Sequence, residues 1–174
     1  MLVVLDTEFT GLDQAKPDLI SLALVGGQNG DFYAELPEFN WTVQCTGWVH
    51  LNVVPHLWGD DYVQSKEAIR ERLTVWIEAI PEEVQIVSDC PSVDFFAQLK
   101  PLLSTWPKNL SPWPVTFNKW SMGDEMLPVL QKRLDEYHTT DRPLHHALHD
   151  ARALQFCMLY ARLAGWHPGY EAKE

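Results

Sequence analysis

The sequence predicts an α/β domain built on a mixed five-stranded sheet, its first three strands antiparallel, flanked by helices. Three observations carry this. Short apolar runs of strand length alternate with longer segments of helical period. A GGQNG turn joins two of the first three runs, which is a hairpin signal. The order is three strands, helix, strand, helix, strand, helix, helix, and this suits helices packed on the faces of one sheet.

Residues 2–9 read as a buried first strand, because the hydrocarbon from Met1 to Leu5 is unbroken. DLISLALVGG (18–27) and DFYAELP (31–37) complete the meander. Residues 38–64 are rich in aromatics, include Gly47, Pro55 and Gly59, and read as irregular. Ser65 is placed to cap a helix in which Ile69, Leu73, Trp76, Ile77 and Ile80 recur at helical spacing, and Pro81 ends it. VQIVSD (84–89) is a short buried strand. Ser92 is expected to cap a helix carrying Phe95, Phe96, Leu99 and Leu102. PVTFNKW (114–120) reads as the fifth strand, and 123–137 and 146–164 as two closing helices.

A chain of 174 residues with 46% hydrophobic and 21% charged residues has the size and core of one domain, here 1–174. It contains no run of 18 apolar residues, so no membrane partner is expected, and it shows no secretion signal. Three widely spaced cysteines, Cys45, Cys90 and Cys157, fit a reducing cytoplasm rather than a disulfide framework. The formal net charge of −11 argues against a nonspecific nucleic-acid coat. It leaves room for a nucleic-acid enzyme, because carboxylates gathered around divalent cations are neutralised locally.

Three stretches bear on chemistry. In VVLDTEFTGL (3–12), Asp6 and Glu8 lie two apart on a strand and project to one face. The pair alone is equally a strand end that has reached solvent. Two acids at the end of a buried strand repel one another, and a hard divalent cation with oxygen ligands resolves that conflict. In DCPSVDFFAQL (89–99), Asp89 and Asp94 both lie where a strand gives way to a helix. Asp94 alone reads as a first-turn acid complementing the helix dipole. In LHHALHDARAL (144–154), Asp150 falls among the apolar positions Leu148, Ala151, Leu154 and Phe156. Five residues of helix rotate by about 140°. His145 and Asp150 can therefore serve one site only if His145 precedes the helix.

Taken together, these stretches resemble the DEDD exonucleases of the histidine-bearing (DEDDh) branch. Asp6 and Glu8 match the first motif, Asp94 the second, and His145 with Asp150 the third. The resemblance covers nearly the whole chain. VVPHLWG (53–59) looks like the small bacterial or phage-type 3′→5′ exoribonucleases. The chain departs from the pattern at Cys90, where relatives often carry asparagine, and Asp89 stands one step earlier.

The resemblance implies a ribonuclease H-like fold and a metal-dependent 3′→5′ exonuclease that releases nucleoside 5′-monophosphates. Its substrate would be the 3′ end of single-stranded RNA or DNA, with RNA favoured. A DNA-directed exonuclease and a non-catalytic nucleic-acid-binding module of the same fold are the alternatives. The cofactors would be two divalent cations, Mg²⁺ or Mn²⁺, held by Asp6, Glu8, Asp94 and Asp150. His145 would be the general base, with His146 and His149 as rivals. Phe9, Thr10, Gly11 and Leu12 would border the terminal nucleotide. Gly11 could equally be a turn glycine and Leu12 a core residue, and Trp120 could stack on a base. Many compact relatives pair, so a homodimer through the Trp-rich 38–64 segment is open to this chain.

Overall fold

Strand β1 (Leu2–Phe9) runs through the centre of a five-stranded sheet of order β3-β2-β1-β4-β5. The structure is a computed structural model, and it describes residues 1–27, 30–118, 125–163 and 165. β2 (Leu19–Val25) and β3 (Phe32–Glu35) follow β1 as an antiparallel meander. β4 (Gln85–Ser88) and β5 (Val115–Thr116) lie parallel on the other side. The sheet is therefore mixed, as the segment order predicts. The predicted fifth strand is short, and its part beyond Asn118, Trp120 included, lies outside the described residues.

The period of two along β1 sorts its side chains onto two cores. Val3 and Leu5 face one core, with Ile69, Leu73 and Ile77 of α2 (Lys66–Glu78) and with Phe95 and Leu99. Val4 faces the other, with Ala147, Leu148, Ala151 and Leu154 of α6 (Ala147–Leu163) and with Leu130 of α5 (Met126–Tyr137). Helices thus cover both faces of the sheet. Among the described residues, no helix is long and apolar enough to cross a membrane.

The Ser65 cap is as expected, and several other sequence expectations need correction. Ser65 caps α2, its hydroxyl accepting from Ala68 N–H. Ser92 caps nothing, because the next helical run opens one residue earlier, at Pro91, with Cys90 in the cap position and no side-chain cap. That run is a short turn α3 (Pro91–Val93), a π-helical stretch Asp94–Leu99, and α4 (Lys100–Leu102). Phe96 and Phe156 face solvent rather than core. Residues 38–64 are not wholly irregular: Thr46 accepts from Val49 N–H and caps a short helix, α1 (Gly47–Asn52).

The sheet also frees one end of β1. β1 pairs with β4 only through Val4, which lies opposite Val87, and β4 ends at Ser88. Beyond Val4, one flank of β1 is left to the loop that carries Asp89 and to the helical run that carries Asp94. On its other flank Asp6 and Glu8 remain paired with Ala23 and Ser21, and the register slips between Glu8 and Phe9. Such an irregularity re-aims a strand end, and bulges are over-represented beside active sites.

Candidate metal centre

Five carboxylates from four segments meet at the free end of β1. One oxygen each from Asp6, Asp89 and Asp94 lie within 4.8 Å of one another. On the neighbouring side, atoms of Glu8, His145 and Asp150 satisfy the same limit. All five residues named from the three motifs are in these two groups, and Asp89 joins them. Asp94 therefore has no exclusive claim on the second motif's place.

The two aspartates differ in how they are held. Asp94 is only 3% exposed. Its Oδ1 accepts from the Thr7 hydroxyl at 2.6 Å, and its Oδ2 accepts from the Ser88 hydroxyl. Thr7 points to the opposite face from Asp6 and Glu8, so β1 supplies two acids on one side and an anchor for a third on the other. Asp89 is exposed.

Asp150 sits in the first turn of α6, and His145 lies before that helix begins. His145 has φ +63°, the left-handed region that side chains other than glycine seldom adopt. That turn carries its backbone N–H to Asp150 Oδ2, at 2.9 Å. The condition set by the five-residue spacing is met.

The electrostatics are those of mutually repelling, desolvated acids. Burial pushes Asp6 well above the ordinary carboxylate range, and Asp150, Asp94, Glu8 and Asp89 push it further. Burial, then Asp150 and Asp94, raise Glu8. Burial lifts Asp150 to about 7, against the lowering effect of the His145 amide. Burial lifts Asp94 to about 6, although the Ser88 and Thr7 hydroxyls work the other way. A cluster of oxygen donors that repel one another in this way fits a hard divalent cation, which takes carboxylate ligands and favours their ionised form.

The three neighbouring histidines separate clearly. His145 faces the carboxylates, and burial, then His56 and His138, lower its pKa. The Trp48 ring of α1 meets it edge-on at 4.8 Å. His146 is 1% exposed and stacks on Tyr33 at 4.8 Å, with Trp58 and His149 packed beside it. Burial lowers His146 to about 4, so it is a neutral aromatic slab at physiological pH. His149 packs edge-on against Trp58. Trp58 itself belongs to the VVPHLWG stretch, where the N–H groups of Trp58 and Gly59 donate to the buried Glu35 carboxylate.

The loop after β1 is more specific than the sequence alone allows. Thr10 is fully buried; its hydroxyl donates to Gln14 Oε1 and accepts from Asp18 N–H, and its carbonyl accepts from Thr46 N–H. Those groups are committed within the protein. Gly11 has φ +150°, and a Cβ there would lie 2.6 Å from Thr46 Cγ2, so both backbone and space require glycine. Leu12 is 78% exposed and is no core residue. Phe9 is partly buried.

Sequence reasoning passed over two residues of this region, Trp48 and His138. The Thr46 cap was a usable signal for the helix bearing Trp48. His138 approaches Asp150 Oδ1 at 3.5 Å through Nε2. Nothing local in the sequence marks that contact. No family model matches the chain, and no curated protein matches it.

Proposed function

We propose that this chain is a divalent-metal-dependent 3′→5′ exonuclease of ribonuclease H-like fold, acting on single-stranded nucleic acid and releasing nucleoside 5′-monophosphates. One observation carries the reading: five carboxylates from four segments converge at the end of a central strand, with the His145 ring beside them. Such a cluster costs stability in the absence of a cation, and its donor set suits two hard ions.

Asp6, Glu8, Asp94 and Asp150 would hold the ions, with Asp89 adjacent. When bound, the ions supply activation of the attacking water and stabilisation of the leaving 3′ oxygen. The chain's own groups do the rest. His145, kept neutral by burial, accepts the proton from the water as it attacks phosphorus. Thr7 and Ser88 fix the Asp94 carboxylate. The His145 amide fixes Asp150. The exposed Leu12 side chain is free to wedge against the terminal base.

RNA is the substrate we favour, on the likeness of VVPHLWG to exoribonucleases. Matched 5′-labelled RNA and DNA oligomers, digested with Mn²⁺ with and without EDTA, test the reading. Progressive shortening from the 3′ end, faster on RNA and stopped by EDTA, is expected. Faster digestion of DNA would transfer the reading to a DNA exonuclease. Binding without cleavage of either would favour a non-catalytic module.

A further inference from the structure

Glu35 closes β3, and its side chain is buried. Its Oε1 accepts from the Tyr33 hydroxyl at 2.6 Å and from Trp58 N–H at 2.7 Å. Its Oε2 accepts from Gly59 N–H at 3.0 Å. Two successive backbone N–H groups turned onto one carboxylate form a nest. Gly59, at φ +69°, supplies the positive-φ residue of that turn. Glu35 belongs to neither carboxylate group at the end of β1. In the sheet register, Ser21 stands between it and Glu8.

Glu35 ties down Tyr33 by its hydroxyl and Trp58 by its backbone, and these are two rings that pack on His146. His146 stacks on Tyr33 at 4.8 Å and meets Trp58 at 4.7 Å. Tyr33 and Trp58 also meet each other edge-on, at 5.1 Å. His146 matters by its place in the chain. Its carbonyl accepts from His149 N–H at 2.8 Å and from Asp150 N–H at 3.0 Å, which sets the first turn of α6. On its other side stands His145, whose left-handed backbone costs energy and persists only where its surroundings hold it. Tyr33 and Trp58 are the part of those surroundings that Glu35 fixes.

We infer that Glu35 is a positioning residue: through Tyr33 and Trp58 it seats His146, and so holds the turn that presents the His145 imidazole to the carboxylates. This rests on the nuclease reading above, in which His145 is the base. Glu35 acts only through other side chains. The inference also gives VVPHLWG a role in this chain, as the stretch whose Trp58–Gly59 turn grips β3.

The test is a double-mutant cycle on the Mn²⁺-dependent cleavage rate of a 5′-labelled RNA oligomer. Wild type, Glu35→Gln, His145→Ala and the double variant are compared, with folding checked by circular dichroism. Glu35→Gln keeps the volume but turns an amide NH₂ onto a group that now donates to oxygen. It should lower turnover by about 10–100-fold in the wild-type background. In the His145→Ala background no imidazole remains to be misplaced, so the same substitution should cost little. A merely structural role would cost the same factor in both backgrounds. Should Glu35→Gln not fold, Tyr33→Phe replaces it; it removes one of the three bonds, and a smaller loss with the same dependence on background is expected. An undiminished rate in the single variant, or an equal loss in both backgrounds, overturns the inference and leaves the nuclease reading standing. Absence of Mn²⁺-dependent cleavage by wild type overturns the nuclease reading itself.

Discussion

The backbone N–H of His145 donates to Asp150 Oδ2 at 2.9 Å, five residues along the chain. Within one helix the two would be rotated apart by about 140°. They meet because α6 starts only at Ala147 and His145 takes a left-handed conformation before it. The amide holds the acid, and the ring is left free to face Glu8 and Asp150.

This division of labour makes His145→Ala informative. The variant keeps the amide that holds Asp150 and loses only the imidazole. Turnover should fall by about 10²–10⁴-fold, the usual contribution of a general base, while Mn²⁺ affinity stays close to wild type. The wild-type rate should rise with pH and then flatten. Burial lowers the His145 pKa, so the rise should lie below the ordinary histidine range. The rise should vanish in His145→Ala and persist in His146→Ala and His149→Ala, whose rings pack against Trp58. Loss of the rise in His149→Ala would move the base onto the helix.

The carboxylate cluster predicts how metal-free stability depends on pH. Asp150 goes from an ordinary 3.8 to about 7 on folding, and Asp94 to about 6, with burial the first cause of each. A carboxyl with a raised pKa binds its proton more tightly in the folded chain. Its folded state is therefore favoured at low pH, and that advantage is lost as pH rises through the folded pKa. Between about pH 4 and pH 7, the melting temperature in EDTA should receive a falling contribution from these groups. Asp6→Ala removes one of the repelling charges. It should flatten that fall, raise the metal-free melting temperature above wild type at neutral pH, and abolish cleavage. Scanning fluorimetry across pH, with and without Mn²⁺, reads all of this except cleavage. Near-wild-type turnover by Asp6→Ala would remove the two-ion assignment.

Asp94 and Asp89 both approach Asp6, but they differ in burial. Asp94 is clamped by the Thr7 and Ser88 hydroxyls, whereas Asp89 is exposed. Asp94→Asn should cost orders of magnitude in rate, and Asp89→Asn much less. Thr7→Val, which removes one clamp and keeps the acid, should fall between wild type and Asp94→Asn. If Asp89→Asn is the more damaging, the second-motif position belongs to Asp89.

Parts of this arrangement were legible in the sequence because they are local. The bounds of β1 follow from its hydrocarbon run, and the common direction of Asp6 and Glu8 follows from the strand period. The Ser65 cap and the apolar stripe of α2 are also local signals. Asp150 was visible as an acid among packed positions, and His145 as a residue that had to precede the helix. What could not be read depends on distant segments meeting. Asp89 approaches Asp6 because β4 stops early beside β1. Thr7 anchors Asp94 across 87 residues. His138 reaches Asp150 because α5 ends against the start of α6. The helix bearing Trp48 was missed because six residues are too few to display a period, although its Thr46 cap was visible.

The most direct measurement of the central claim is identification of the product from oligomers blocked at one end. A 3′-phosphate block and a 5′ block are compared in the presence of Mn²⁺, and the released nucleotides are separated chromatographically. If water attacks phosphorus and the 3′ oxygen leaves, the 3′ block stops digestion, the 5′ block does not, and every product is a nucleoside 5′-monophosphate. Release of 3′-monophosphates, or undiminished digestion of the 3′-blocked strand, would contradict the account.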